Sequence, residues 1–151
     1  MALDDDTRVL SGVRLFESLT QEQVRLLAFG AENIRLAKDR VLYREDTPAD
    51  CAYVVVHGSI ELYRTIDGVR ERIGRAMPGT ILDEMALIVQ ATRQTGAVAE
   101  EGSEVIRLNR ILFRRLLEEY PEVAYMLRNR IAAEFSAMAE KIIGLQPRFD
   151  D

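Results

Sequence analysis

Ala52 to His57 is an unbroken apolar run, closed by Gly58. A strand of that kind is buried on both faces. Period-two segments lie on either side of it. Ile34 and Leu36 alternate with Arg35, and Val41-Leu42-Tyr43-Arg44 forms a second strand. Ile60, Leu62 and Arg64 interleave with Glu61 and Tyr63. Asp67-Gly68 is a two-residue hairpin signal, and Arg70 to Ala76 returns as the partner strand. Glu104 to Leu108, centred on Val105-Ile106, is the last strand. Many short strands with turn signals between them read as a sandwich or roll.

Helical segments flank the strands. Residues 1–12 contain the run Asp4-Asp5-Asp6 and are expected to fray. Leu15, Phe16 and Leu19 form a short apolar stretch. Thr20 caps a helix from Gln21 to about Phe29, with Val24, Leu27 and Ala28 on one face, Leu26 beside it and Gly30 as its stop. After the strands, Asn109 caps a helix with the stripe Leu112, Phe113, Leu116 and Leu117, broken at Tyr120-Pro121. Pro121 suits the first position of a long helix from about Glu122 to Ile143, ended by Gly144 and Pro147. The fold class is mainly β with flanking helices. The 151 residues make one domain, with a helical part over 1–30, strands over 31–109 and helices over 110–147.

Composition excludes several functions. A net charge of −5 argues against a general binder of nucleic-acid backbones. One cysteine, Cys51, and one histidine, His57, allow neither an intrachain disulfide nor a Cys/His zinc site. Cys51 reads as a structural thiol and His57 as a buried or strand-edge residue. No nucleophile, metal or acid–base constellation stands out, so an enzyme is not expected. The start MALDDDTRVL lacks an apolar signal core, and no stretch reaches the ~20 apolar residues of a membrane span. A cytoplasmic setting without membrane contact follows.

The stretch with chemistry is Pro78 to Val98, PGTILDEMALIVQATRQTGAV. Pro-Gly marks a turn, and Thr80-Ile81-Leu82 a short strand. Asp83 to Ile88 reads as one or two helical turns with Asp83 as N-cap. Gln90-Ala91-Thr92 reads as a polar loop, and Thr95 to Ala99 as a return to the sheet. A helix start favours an anion, and Arg93 folded back beside it would hold a phosphate with its planar fork. Glu84 would accept hydrogen bonds from sugar hydroxyls. The plainer alternative is a surface ion pair between Glu84 and Arg93, worth ~0–1 kcal/mol.

These residues resemble the phosphate-binding cassette of cyclic nucleotide-binding domains, as found in cyclic AMP receptor-like, Crp-Fnr-type sensors. That cassette runs Pro-Gly, two or three residues, Phe-Gly-Glu-Leu-Ala-Leu, a short loop, Pro-Arg and a small-residue strand. Pro78, Gly79, Glu84, Met85, Ala86, Leu87 and Arg93 match it, with the usual spacing of nine from Glu84 to Arg93. Arg44 to Asp50 resembles the family's Glu-Gly-Asp-Pro-Ala-Asp loop, and the likeness extends over roughly Leu15 to Ile143. Asp83 stands where the family has Gly, Thr92 where it has Pro, Gln94 where Ser, Thr or Ala is usual, and Thr95 where Ala is. Asp39 and Asp46 also replace common glycines, a change that turns tolerate.

The resemblance implies an antiparallel β-roll of jelly-roll type, with N-terminal helices and a long C-terminal helix. It implies a cyclic nucleotide, cAMP or cGMP, as ligand, and no cofactor. Glu84 would hold the ribose 2′-hydroxyl and Arg93 the cyclic phosphate. The amides of Met85 and Ala86 would complete the cradle, with Asp83, Gln94 and Thr95 beside it. Leu62, Ile73 and Ala76 align with the wall around the base, and Phe135 and Met138 would close over it. The steps Ile131, Phe135, Met138, Ile142 and Leu145 follow coiled-coil spacing and suit either packing on the roll or a homodimer. No helix-turn-helix domain fits after Gly144, so this stretch is expected to act as a sensor or interaction module with a protein partner, not on nucleic acid. Asp83 leaves a second function open, a degenerate sensor kept as a dimerising or partner-binding module. Its carboxylate either repels the ligand phosphate or caps the amides of Met85 and Ala86 in its place.

Overall fold

The computed structural model describes residues 2–130 and 133. Its strands are β1 (Glu32–Leu36), β2 (Val41–Tyr43), β3 (Pro48–Ala49), β4 (Cys51–His57), β5 (Ile60–Ile66), β6 (Val69–Ala76), β7 (Ile81–Leu82), β8 (Ala91–Thr92), β9 (Gly96–Ala99) and β10 (Ser103–Asn109). They form two four-stranded sheets, in the orders β1-β10-β4-β7 and β2-β9-β5-β6, and a small pair β3-β8. The pairings are antiparallel, which gives the expected β-roll. Asp67 and Gly68 both take positive φ at the β5–β6 hairpin, as a tight primed turn requires.

The apolar run becomes β4, and its alternation sorts its side chains between two cores. Cys51, Tyr53 and Val55 point into the roll, with Leu36, Ile60, Ala97 and Val105. Ala52, Val54 and Val56 point outward, against Leu10, Phe16, Leu27 and Phe113 of the helical layer. Successive side chains of a strand leave opposite faces, so a strand covered on both sides has no position for an exposed polar residue. His57, at the end of β4, is exposed, which makes it the strand-edge residue of the two expectations.

The helical layer holds α1 (Ala2–Ser11), α2 (Gln21–Gly30), α3 (Arg110–Glu119), a 3-10 turn at Arg14–Phe16 and a further helical stretch over 121–130. Residues 2–11 are not frayed but form α1. Leu10 of α1 is fully buried, and Asn33 Nδ2 donates to the buried Asp6 carboxylate at 3.0 Å. The acidic run that suggested disorder begins a helix, where negative charge is favourable. Thr20 and Gln23 form a reciprocal capping box on α2. Asn109 Oδ1 caps α3 by accepting from the Leu112 amide at 2.7 Å. Gly30 is the last residue of α2 rather than a left-handed stop. Its role is close approach, since a Cβ there would collide with Leu112 of α3. The expected loop at Ala91-Thr92 instead forms β8, paired with Pro48-Ala49. The stripe from Ile131 to Leu145 lies outside the described residues.

Candidate functional site

Strand β7 delivers the chain to the site. Leu82 is buried in the roll, and Asp83 then turns left-handed at φ 59, ψ 48. A 3-10 turn, Glu84–Leu87, follows, with Ala86 and Leu87 buried. The Ala86 amide donates to the Asp83 carbonyl at 3.0 Å. Beyond β8, the backbone of Arg93 is held on both sides by one loop. Its amide donates to the Thr47 carbonyl at 2.8 Å, and its carbonyl accepts from the Asp46 amide at 2.9 Å.

The Arg93 side chain runs into the roll and is only 3% exposed. Nη1 donates to Asp83 Oδ2 at 2.6 Å. Nη2 meets Cys51 Sγ at 3.2 Å. The guanidinium carbon lies 4.4 Å from the ring centre of Tyr43 and 5.4 Å from that of Tyr53, and the two rings stack with centroids 5.9 Å apart. A buried cation is tolerated when it is paired and set against aromatic faces. Burial works against the charge of Arg93, but the hydrogen bond and charge of Asp83 outweigh it, and the pKa is raised. The Tyr43 hydroxyl lies beside Asp83 and Thr95. Burial first, and then the negative charge of Asp83, push its pKa up. Among the described residues, the arrangement is a buried cation walled by aromatic rings and paired with the carboxylate of Asp83.

Asp83 occupies the N-cap position but makes no side-chain cap. Capping requires an extended backbone at that residue, and the left-handed conformation turns the carboxylate away from the following amides. The buried guanidinium takes it instead.

The profile of the cyclic nucleotide-binding domain matches residues 33–120. The chain belongs to the cyclic nucleotide-binding domain family. Among curated relatives, a cyclic AMP receptor protein of Thermus thermophilus is 28% identical over 124 residues, 82% of this chain and 57% of that protein. The neuropathy target esterase sws of Drosophila melanogaster is 27% identical over 113 residues, 74% of this chain but only 8% of that protein. Among solved structures, a cyclic nucleotide-binding-like protein of Brucella abortus is 56% identical with a TM-score of 0.71, covering 76% of this chain and 99% of that one. The N-terminal domain of a Streptomyces coelicolor transcriptional regulator is 27% identical with a TM-score of 0.81, covering 89% and 94%.

In this cyclic nucleotide-binding fold, the cassette residues are not equally placed. Arg93 and Asp83 meet directly. Glu84 and Met85 are half-buried on the turn next to Asp83. Thr95 is near Tyr43, whereas Gln94 is exposed, with its carbonyl accepting from Arg64 Nε at 3.1 Å. Leu62 packs at the edge of the roll core and Ala76 within it. Ile73 has no register partner at the bulge opposite Leu62 and Tyr63, and is 53% exposed. Phe135 and Met138 lie outside the described residues. Among the described residues no His, Cys, Asp or Glu cluster suits a metal, and no helix is long and apolar enough to cross a membrane.

Sequence reasoning missed Tyr43, Tyr53 and Cys51 as companions of Arg93. A signal for two of them was present. Period two puts 51, 53 and 55 on one face of β4, and the cassette had to return to that face.

Proposed function

We propose that this chain is a regulatory module that binds a cyclic nucleotide through residues 78–98 and passes the change to a protein partner through its C-terminal helices. The observation that carries this reading is Arg93. Its side chain is 3% exposed, it matches the Arg of the family's cassette by resemblance, and it already holds an anion, the carboxylate of Asp83. Arg93 takes the cyclic phosphate and Glu84 the ribose hydroxyl. The Met85 amide flanks the phosphate, and the Ala86 amide would do so by giving up its bond to the Asp83 carbonyl, with Thr95 and Gln94 beside it and Leu62 and Ile73 toward the base. Cyclic AMP is the first nucleotide to test, because the Thermus relative is named a cyclic AMP receptor protein. Cyclic GMP is the second. The module is regulatory rather than catalytic, works in the cytoplasm and dimerises through the helix beginning at Pro121. Calorimetry of the purified protein with each nucleotide tests this reading, with a folded Arg93→Ala as the control that must lose affinity.

The Asp83–Arg93 pair also favours a second reading, a degenerate sensor kept for dimerisation or partner binding. Failure of both wild type and Asp83→Gly to bind either nucleotide would move the conclusion there.

A further inference from the structure

We propose that Asp83 is a resident anion: it occupies the phosphate subsite of Arg93 and determines which ligands enter. This rests on the reading of Arg93 as an anion anchor, but not on the identity of the nucleotide.

Among the described residues, Asp83 is the cover through which an external anion gains access. The Arg93 side chain is 3% exposed, so a phosphate reaches its guanidinium only by displacing what covers it. Tyr43 and Tyr53 cover its face, and Cys51 meets Nη2 from inside the roll. Asp83 meets Nη1, and its side chain, 26% exposed, is the cover that also faces solvent. Of these contacts, only Asp83 carries a full negative charge. Displacing it exchanges one anion for another, whereas displacing a ring or the buried thiol would open the core.

The backbone explains why the carboxylate points inward. Asp83 has φ 59, the region that favours glycine. In that conformation the side chain makes no bond to the 3-10 turn behind it. With Asp83 in place, the subsite has a cation and an anion and no net charge to attract a phosphate. Its ligand must therefore bring more than one negative oxygen's worth of binding, through a sugar or base held elsewhere in the pocket. A bare phosphate fails to compete, and a ligand with further contacts succeeds.

The test uses inorganic phosphate as the probe, against chloride at matched ionic strength. Asp83→Gly keeps the backbone, since glycine adopts φ 59 freely, and leaves Arg93 without its carboxylate. Phosphate is expected to raise the melting temperature of Asp83→Gly in a saturable manner and to leave that of the wild type unmoved. Adding Arg93→Gln should remove the response. Asp83→Asn, which keeps the side-chain shape, repeats the experiment if the glycine variant does not fold. An equal phosphate response in wild type and variant would overturn the inference. So would a destabilised variant that phosphate does not rescue, because Asp83 would then be an ordinary structural ion pair. Cyclic nucleotide is titrated separately. Phosphate rescue without nucleotide binding would keep the resident anion and reject the proposed function. Equal nucleotide affinity with no difference in phosphate response would reject the resident anion alone.

Discussion

Four aspartates, Asp39, Asp46, Asp67 and Asp83, are the non-glycine residues with positive φ among those described. Aspartate tolerates this conformation because its short polar side chain makes local hydrogen bonds, whereas a Cβ-bearing apolar residue there costs roughly 1–2 kcal/mol. Asp39 is the cleanest test, away from Arg93, with its amide donating to the Ala99 carbonyl at 2.8 Å. Asp39→Ala should lose about 1 kcal/mol in urea unfolding, and Asp39→Gly should be level with wild type within a few tenths. Equal stability of the two variants would show that the left-handed turn is not what selects the residue. Three of these positions were legible in the sequence as aspartates where related domains carry glycine. For Asp39 and Asp46 the turn conformation followed from that, whereas Asp83 reads as an extended N-cap and is left-handed instead. The side-chain role of Asp83 did not follow either, because it depends on Arg93, whose other partner, Cys51, lies 42 residues away in sequence.

At the scale of elements, β4 was legible because burial on both faces leaves a continuous apolar run. Helix α1 was not, because its three acidic residues look like a solvated tail until Leu10 finds its pocket. The link between cassette and helices was also hidden. Arg110, the first residue of α3, donates from Nε to the Ala86 carbonyl at 2.8 Å and from Nη2 to the Ala49 carbonyl at 2.6 Å. One side chain thus ties α3 both to the cassette turn and to β3. Charged hydrogen bonds of this kind contribute about 1.5–3 kcal/mol. Arg110→Ala is expected to lower stability by about 2 kcal/mol, and to speed amide exchange in residues 84–87 and in the first turn of α3 together. Faster exchange in only one of the two would contradict a mechanical link.

For the whole molecule, two cores share β4 and β10. Val105 faces the roll, while Ile106 and Leu108 face the helices. A shift of the cassette therefore meets the helical layer through Leu87, which packs in that outer core. The proposed partner surface begins where this layer continues into residues 121–130. The heptad-like spacing beyond it predicts a dimer. Sedimentation at micromolar concentration should show a dimeric wild type and a monomeric Phe135→Glu, and a monomeric wild type would refute the interface.

The central claim is that Arg93 is the anchor for a cyclic phosphate. The most direct measurement is a calorimetric titration of cyclic AMP, then cyclic GMP, into Asp83→Gly and into Asp83→Gly with Arg93→Gln. Losing a charge-assisted partner to a buried phosphate removes ~1.5–3 kcal/mol, and ~1.4 kcal/mol is a factor of ten. The account predicts that one of the nucleotides binds Asp83→Gly, and that the second variant weakens it by roughly tenfold to over a hundredfold. Binding of equal strength in the two, or in neither, would contradict it.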